Sequence, residues 1–377
     1  MHILICNLYQ KVKNMRNDVS DNRLEIIAFF VSVLTIAAIM LTFGSGRISY
    51  VAASIVFYAG GSGDVTKEVT SVSTAPVYEV VPSEEEQKTD ITKTPSDIEM
   101  LMEHYKTAFA ADKRDGDIQV STYLNKGATH IYENVRVKNT TETKTLNIEK
   151  VLNKGLELEI DKSKPAVLIF HSHTSEGYEL IEREWYAEGY TARSNDENLN
   201  IVRVGTEIAD YLESMGYTVI HDKTIHDDSY SDSYPNSRKT VAKYLEEYPE
   251  IQIVIDIHRD SITLDNGTKI KPLNTINGKK AAQLMIITGA EEGKVENFPD
   301  WEYNLCFALQ LQKECETLYP GLMRPVLFSQ RKYNMDMTRF SLLIEMGSEA
   351  NTLDEACYSG RLLASALGSL MDRYVVK

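Results

Sequence analysis

Residues 167–176 read Val-Leu-Ile-Phe-His-Ser-His-Thr-Ser-Glu, an apolar run that stops abruptly at two imidazoles and a carboxylate. Neutral imidazole is a metal ligand and an acid–base group near neutral pH, so His-X-His-X-X-Glu at a strand end suits metal-assisted chemistry. A lone histidine there would more often be a hydrogen-bonded core residue, but a cluster is harder to explain that way. The pattern recurs downstream. Residues 251–257 form an apolar run that ends in His258, and residues 341–344 form one that ends in Glu345. In a parallel sheet the carboxyl ends of the strands share one edge, so His171 or His173, His258 and Glu345 can meet despite their separation in sequence. Two imidazoles and a carboxylate are what a catalytic zinc takes, with one position left for water.

The residues alone leave the ligand carboxylate open between two candidates. Glu197 opens a predicted helix beginning Glu-Asn-Leu-Asn-Ile-Val, and Glu176 forms His-X-X-Glu with His173. Each has an ordinary alternative: an acid favoured in a first helical turn for Glu197, a solvated loop residue for Glu176. Arg259, directly after His258, suits a substrate carboxylate or a developing oxyanion, or equally a buried ion pair with Asp256 or Asp260. Asn351 stands where it can cap the last helix. Ser175 and Ser261 lack a Gly-X-Ser-X-Gly setting, which argues against a serine hydrolase. Cys306, Cys315 and Cys357 do not end strands opposite a histidine, so a cysteine peptidase is disfavoured and buried thiols are expected.

Alternating elements must position these residues. Ile201, Val204, Ile208, Tyr211 and Met215 recur at helical spacing, Gly216 supplies the stop, and residues 217–220 resume as a strand. Helices are also predicted over 237–248, 301–318 and 353–374, with a further strand over 282–288. The implied fold class is α/β, a mostly parallel twisted sheet with helices on both faces.

Ahead of this lies a different kind of sequence. Residues 26–46 carry no charged side chain and are long enough to cross about 30 Å of hydrocarbon as a helix. Lys11, Lys13, Arg16 and Arg23 precede them and only Arg47 follows closely, so the amino terminus is expected in the cytoplasm and the rest outside. A cleaved signal peptide is the alternative, but the apolar run is longer than the usual core of about 7–15 residues. The expected organisation is a cytoplasmic tail (1–25), one transmembrane helix (26–46), a flexible tether rich in Ser, Thr, Glu and Pro (47–96), a lead-in of undecided structure (97–160) and a catalytic domain (161–377). Within the lead-in, 97–109 has the spacing of a short helix. A net charge of −15 disfavours nucleic acid as a partner.

The order of these motifs resembles a known family. Histidine after an early strand, glutamate at the start of the next helix, histidine after a middle strand and Glu-X-Gly-X-X-X-Asn after a late one is similar to the zinc-dependent N-acetylmuramoyl-L-alanine amidases. More closely, His-Ser-His-Thr-Ser-Glu (171–176), Ile-Asp-Ile-His-Arg-Asp-Ser (255–261) and Leu-Ile-Glu-Met-Gly-Ser-Glu-Ala-Asn-Thr (343–352), behind one anchor, resemble the stage II sporulation protein P family, peptidoglycan hydrolases of endospore formers. The Gly-His-Gly-Gly loop of the general amidase pattern is missing.

The resemblance implies Zn2+ held by His173, Glu197 and His258, with Glu345 as the catalytic carboxylate and Arg259 on the substrate. It implies cleavage of the amide between N-acetylmuramic acid and L-alanine, and allows cutting of stem-peptide cross-links. It further implies septal wall remodelling during engulfment from the mother-cell membrane, with a membrane-anchored lytic transglycosylase and other engulfment proteins as partners. Two other functions fit the same residues: a zinc carboxypeptidase or endopeptidase using His173 and Glu176, and a wall-binding scaffold that does not cut. The presence of Glu345 speaks against the scaffold, since a pure binder needs no general base.

Overall fold

The structure is a computed structural model that describes residues 90–376. The expected tail, membrane helix and most of the tether therefore lie outside the described residues. Among the described residues no helix is long and apolar enough to cross a membrane.

The main sheet has eight strands. In chain order its members are β2 (His130–Tyr132), β3 (Val135–Asn139), β4 (Pro165–Phe170), β6 (Thr218–His221), β7 (Ile253–Asp260), β10 (Leu284–Gly289), β11 (Val326–Ser329) and β12 (Phe340–Ser348). Their spatial order is β2-β3-β11-β10-β12-β7-β4-β6. A second sheet of four strands, β5-β1-β8-β9, is built from β1 (Arg114–Ser121), β5 (Trp185–Ala187), β8 (Lys269–Ile276) and β9 (Lys279–Ala282). The helices are α1 (Ser96–Ala108), α2 (Ile148–Leu152), α3 (Ile201–Ser214), α4 (Ser233–Glu247), α5 (Trp301–Leu318) and α6 (Leu353–Met371). The undecided lead-in thus supplies α1, α2, β1 and the β2–β3 hairpin at the edge of the main sheet.

The sheet is mixed, which corrects the expectation of a mostly parallel one. β6, β4, β7 and β12 run parallel to one another, and β10, β11 and β3 form a second parallel block, but β10 runs antiparallel to β12. A parallel neighbour for β7 or β12 would need a crossover of a dozen or more residues, usually a helix. The chain between β7 and β10 instead builds the β8–β9 hairpin, whose Asn277-Gly278 turn has φ of +48° and +80° as a two-residue primed turn requires. It then steps into β10 through the single residue Gln283, so the strand expected over 282–288 is β10, with Ala282 instead closing β9 in the second sheet. The parallel block that carries the site survives this reversal.

Alternation along the strands decides which side chains share a face. Val167 and Ile169 of β4, Ile253, Ile255 and Ile257 of β7, and Phe340, Leu342 and Ile344 of β12 join the large core with α3, α5 and α6. Leu168 and Phe170 of β4 and Val254 of β7 join a smaller cluster with Val241 of α4, with Tyr244 and Leu245 packed on it. Helices therefore cover both faces of β4 and β7, which is why these strands read as continuous apolar runs. On the α4 face the apolar positions run out towards the carboxyl edge. There the same face carries Asp256, His258 and, one strand across in register with His258, Glu345.

Gly347 shapes the end of β12. Its φ is +77°, and an added Cβ would lie 2.5 Å from Asn351 Oδ1 and 2.8 Å from the Ala282 methyl. The Asn351 side chain accepts from Ser348 N–H at 2.9 Å and donates to Pro272 O and to Glu355. Asn351 is therefore a buried brace for the irregular turn after Glu345. The cap of α6 is its neighbour Thr352, in a capping box with Glu355.

Candidate active site

The two histidines after β4 part company. His171 is fully buried, with Nδ1 2.9 Å from Ile257 O and Nε2 2.9 Å from His221 Nε2, so both ring nitrogens are engaged. Burial lowers its pKa to about 4. Helix α3 closes against this pair at Gly205, where a Cβ would meet His221 Nε2 at 2.5 Å and His171 Cε1 at 2.7 Å. His173 lies on the other side of Ser172. Its ring meets that of His258 edge-on at 5.3 Å between centroids, and its Nδ1 is buried without a hydrogen-bond partner.

His258 is held by its far nitrogen. Nε2 is 2.8 Å from Asp256 Oδ1 and 2.8 Å from Ser172 Oγ, while Ser172 donates its own O–H and N–H to Asp256. Burial opposes a charge on this ring, but the Asp256 carboxylate beside it, helped by Glu176 and Glu345, outweighs burial and raises the pKa to about 9. The other nitrogen, Nδ1, is 3.6 Å from Glu176 Oε2, beyond hydrogen-bond length. Glu345 stands half-buried beside His258, with its Oε2 enclosed and lacking any partner. Its burial raises the carboxyl to about 8 against the pull of the His258 charge.

Of the two candidate carboxylates, the fold brings Glu176 to the histidines. Glu176 is buried, accepts the backbone N–H of Arg259 at 3.1 Å, and has Arg193 3.7 Å from its other oxygen. Its carbonyl also takes the N–H of Ile201, which packs the start of α3 beside the end of β4. Glu197 does not open that helix, because Asn200 is the cap, through Val202 N–H. The Glu197 side chain is 54% exposed and pairs with Lys223 at 3.3 Å, away from the imidazoles. Arg259 donates from Nε to Gly177 O and from Nη2 to Ala192 O, both at 2.9 Å, and so ties down the loop that carries Glu176.

The site has parts that the sequence reading did not single out. Tyr230, 70% exposed, stacks on His173 at 4.6 Å, and Tyr234 of α4 meets His173 edge-on and lies parallel to His258. Asp227 accepts from Ser175 and Arg193 and fixes the loop below. The one signal on offer was Asp256-X-His258, which on a strand puts a carboxylate on the imidazole's own face.

Imidazole and carboxylate are donor types that a divalent metal takes. The orphaned His173 Nδ1, the His258 Nδ1 turned to Glu176 and the orphaned Glu345 Oε2 are the unclaimed polar atoms of one buried cluster. Among the described residues no group of three or more His, Cys, Asp or Glu side chains is placed so that it could hold a metal ion as it stands. Were His258 to ligate a metal, Asp256 would be the outer carboxylate that orients it. Asp256→Asn is expected to weaken zinc affinity about 10–100-fold, read by competition titration with a chromophoric chelator. An affinity within twofold of the parent would show that Asp256 does not tune the site.

The family model described as Stage II sporulation protein P matches residues 64–368. A relative of the same name from Bacillus subtilis (strain 168) is 34% identical over 206 residues, covering 51% of this chain and 47% of its own. The chain thus spans about half the length of the curated relative it matches. Among solved structures, the N-acetylmuramoyl-L-alanine amidase AmiC2 of Nostoc punctiforme is 12% identical, over 55% of this chain and 96% of its own, with a TM-score of 0.32. The CwlD amidase from Clostridioides difficile, in complex with the GerS lipoprotein, is also 12% identical, over 55% and 98%, with a TM-score of 0.34. Structural likeness at these scores carries no assignment, and the family rests on the sequence match. By that match, which covers most of its length, this chain belongs to the stage II sporulation protein P family.

Proposed function

We propose that the chain is a zinc-dependent peptidoglycan hydrolase that cleaves the amide between the lactyl group of N-acetylmuramic acid and L-alanine of the stem peptide. The observation that carries this reading is the meeting of His173, Glu176, His258 and Glu345 where β4, β7 and β12 end side by side. His173, Glu176 and His258 would hold the metal, which when bound supplies a Lewis acid for the scissile carbonyl and acidifies water. The Glu345 carboxylate takes the proton of the attacking water as the C–O bond forms. It returns that proton to the departing amine as the C–N bond breaks. Asp256 and Ser172 keep His258 in one orientation, and Arg193 and the Arg259 N–H do the same for Glu176.

The cellular setting belongs to the same proposal. Residues 26–46 anchor the chain in the cell membrane with the hydrolase domain outside, where it remodels the septal wall during sporulation beside a membrane-anchored lytic transglycosylase. The placement of Glu176, where the amidase pattern expects Glu197, favours keeping one second reading, cleavage within stem peptides. Digestion of purified muropeptides, read by mass spectrometry, separates them. Free stem peptides beginning with L-alanine are the expected product. Shortened stems with the lactyl amide intact would replace the amidase reading by the peptidase one, and intact substrate with zinc present would sink both.

A further inference from the structure

Beyond His258, the same face of β7 carries one more charged residue, Asp260, which receives Arg324 Nη1 at 2.9 Å. Arg324 is buried at 8% exposure and is held both at its backbone and at its guanidinium. Its N–H donates to Leu284 O at 2.7 Å and its carbonyl accepts from Gln312 at 3.0 Å. Its guanidinium carbon lies 5.1 Å from the centre of the Tyr123 ring, and Tyr123 is itself pinned by both polar atoms of the Gln283 amide. Leu284 pairs with Met346, the residue after Glu345, and the Arg324 charge pulls on the Glu345 carboxyl, so this arginine lies at the same end of the sheet as the proposed general base.

Asp260 is the sole hydrogen-bond acceptor for this guanidinium among the described residues, and the remaining nitrogens are not among the buried atoms without a partner. The guanidinium therefore keeps N–H donors uncommitted to the chain while its position is set. Arg259 differs, since its Nε and Nη2 are taken up by carbonyls. A planar fork of that kind, rigid and half-used, matches a carboxylate. In a chain of net charge −15, an anionic peptide needs a fixed cation to be drawn to the site.

We infer that Arg324, backed by Asp260 and Tyr123, is a subsite for a carboxylate on the peptide side of the scissile bond, so that the chain selects acidic over amidated stem peptides. This rests on the hydrolase reading for the identity of the ligand, although its test is binding and not turnover. The lead-in strand β1 and its following Tyr123 then have a place in substrate recognition, as one wall of the subsite.

The experiment uses the full-length chain carrying Glu345→Gln, so that the probe is not consumed, and two N-acetylmuramoyl tetrapeptides that differ only in having free or amidated carboxyl groups. By calorimetry the free acid is expected to bind roughly tenfold tighter than the amide, as one charge-assisted contact implies. Adding Arg324→Gln removes that preference and leaves affinity for the amide unchanged, while Arg324→Lys keeps part of it. Equal binding of acid and amide by the Arg324 chain, equal weakening of both by Arg324→Gln, or no binding of either overturns the assignment. Should Arg324→Gln fail to fold, the acid-to-amide ratio of the Arg324 chain and the Arg324→Lys variant still decide it. Lack of wall digestion by the unmodified chain, measured in parallel, would sink the hydrolase reading alone, because the acid-to-amide ratio is read without cutting.

Discussion

Glu345→Gln is expected to lower turnover on muropeptides about 100- to 10,000-fold, the usual contribution of a positioned general base. The substitution is nearly isosteric and neutral. It keeps the side chain's volume at a half-buried position of β12 whose Oε2 is enclosed, and removes only the ability to accept and return a proton. Glu345 is in register with His258 but lies outside the proposed ligand set, so zinc content and melting temperature should stay at the parent's values. Both controls matter, because lost metal or lost fold would mimic a lost base. Turnover within threefold of the parent, with metal and fold intact, would refute the role given to Glu345 and favour the reading in which this domain binds the wall without cutting it.

What could be read from the residues follows from which signals are local. The end of β4 at Phe170 was legible because its apolar run stops at residues that cannot be buried without a partner, whereas β7 runs on to Asp260 and β12 to Ser348, so His258 and Glu345 lie inside their strands near the carboxyl edge. Helix α5 was found at its observed limits, 301–318, from periodicity alone. The reversal at β10 was not, since strand direction depends on the connection. The Asn277-Gly278 dipeptide that makes it a hairpin is the one local cue that would have warned of it. Choosing between His171 and His173 also lay beyond the residue pattern, because it depends on His221, at the end of β6, reaching back to occupy His171. The second sheet was missed because β5 is three residues long and β1 carries mostly exposed polar positions, so neither has the alternation that marks a half-buried strand.

The structure sets Glu176, and not Glu197, beside His258, and one pair of variants tests which of them is the proposed carboxylate ligand. Glu176→Ala is expected to lose stoichiometric zinc and to lower hydrolysis by at least about 100-fold, since it removes a ligand and leaves the His258 Nδ1 side of the cluster without its carboxylate. Glu197→Ala is expected to keep its zinc and its rate, and to change stability by no more than about 0.5 kcal/mol, as an exposed ion pair with Lys223 contributes little. The reason lies in how α3 begins. Spacing alone puts an acid at its first turn, but the chain enters the helix through Asn200, and the Glu176 carbonyl receives the N–H of Ile201. The helix start does pack beside the end of β4, and the glutamate it presents there comes from the preceding loop. Metal analysis by inductively coupled plasma mass spectrometry on both variants decides the matter. Zinc lost from Glu197→Ala and retained by Glu176→Ala would return the ligand to the helix and require the loop between residues 176 and 200 to rearrange around the metal.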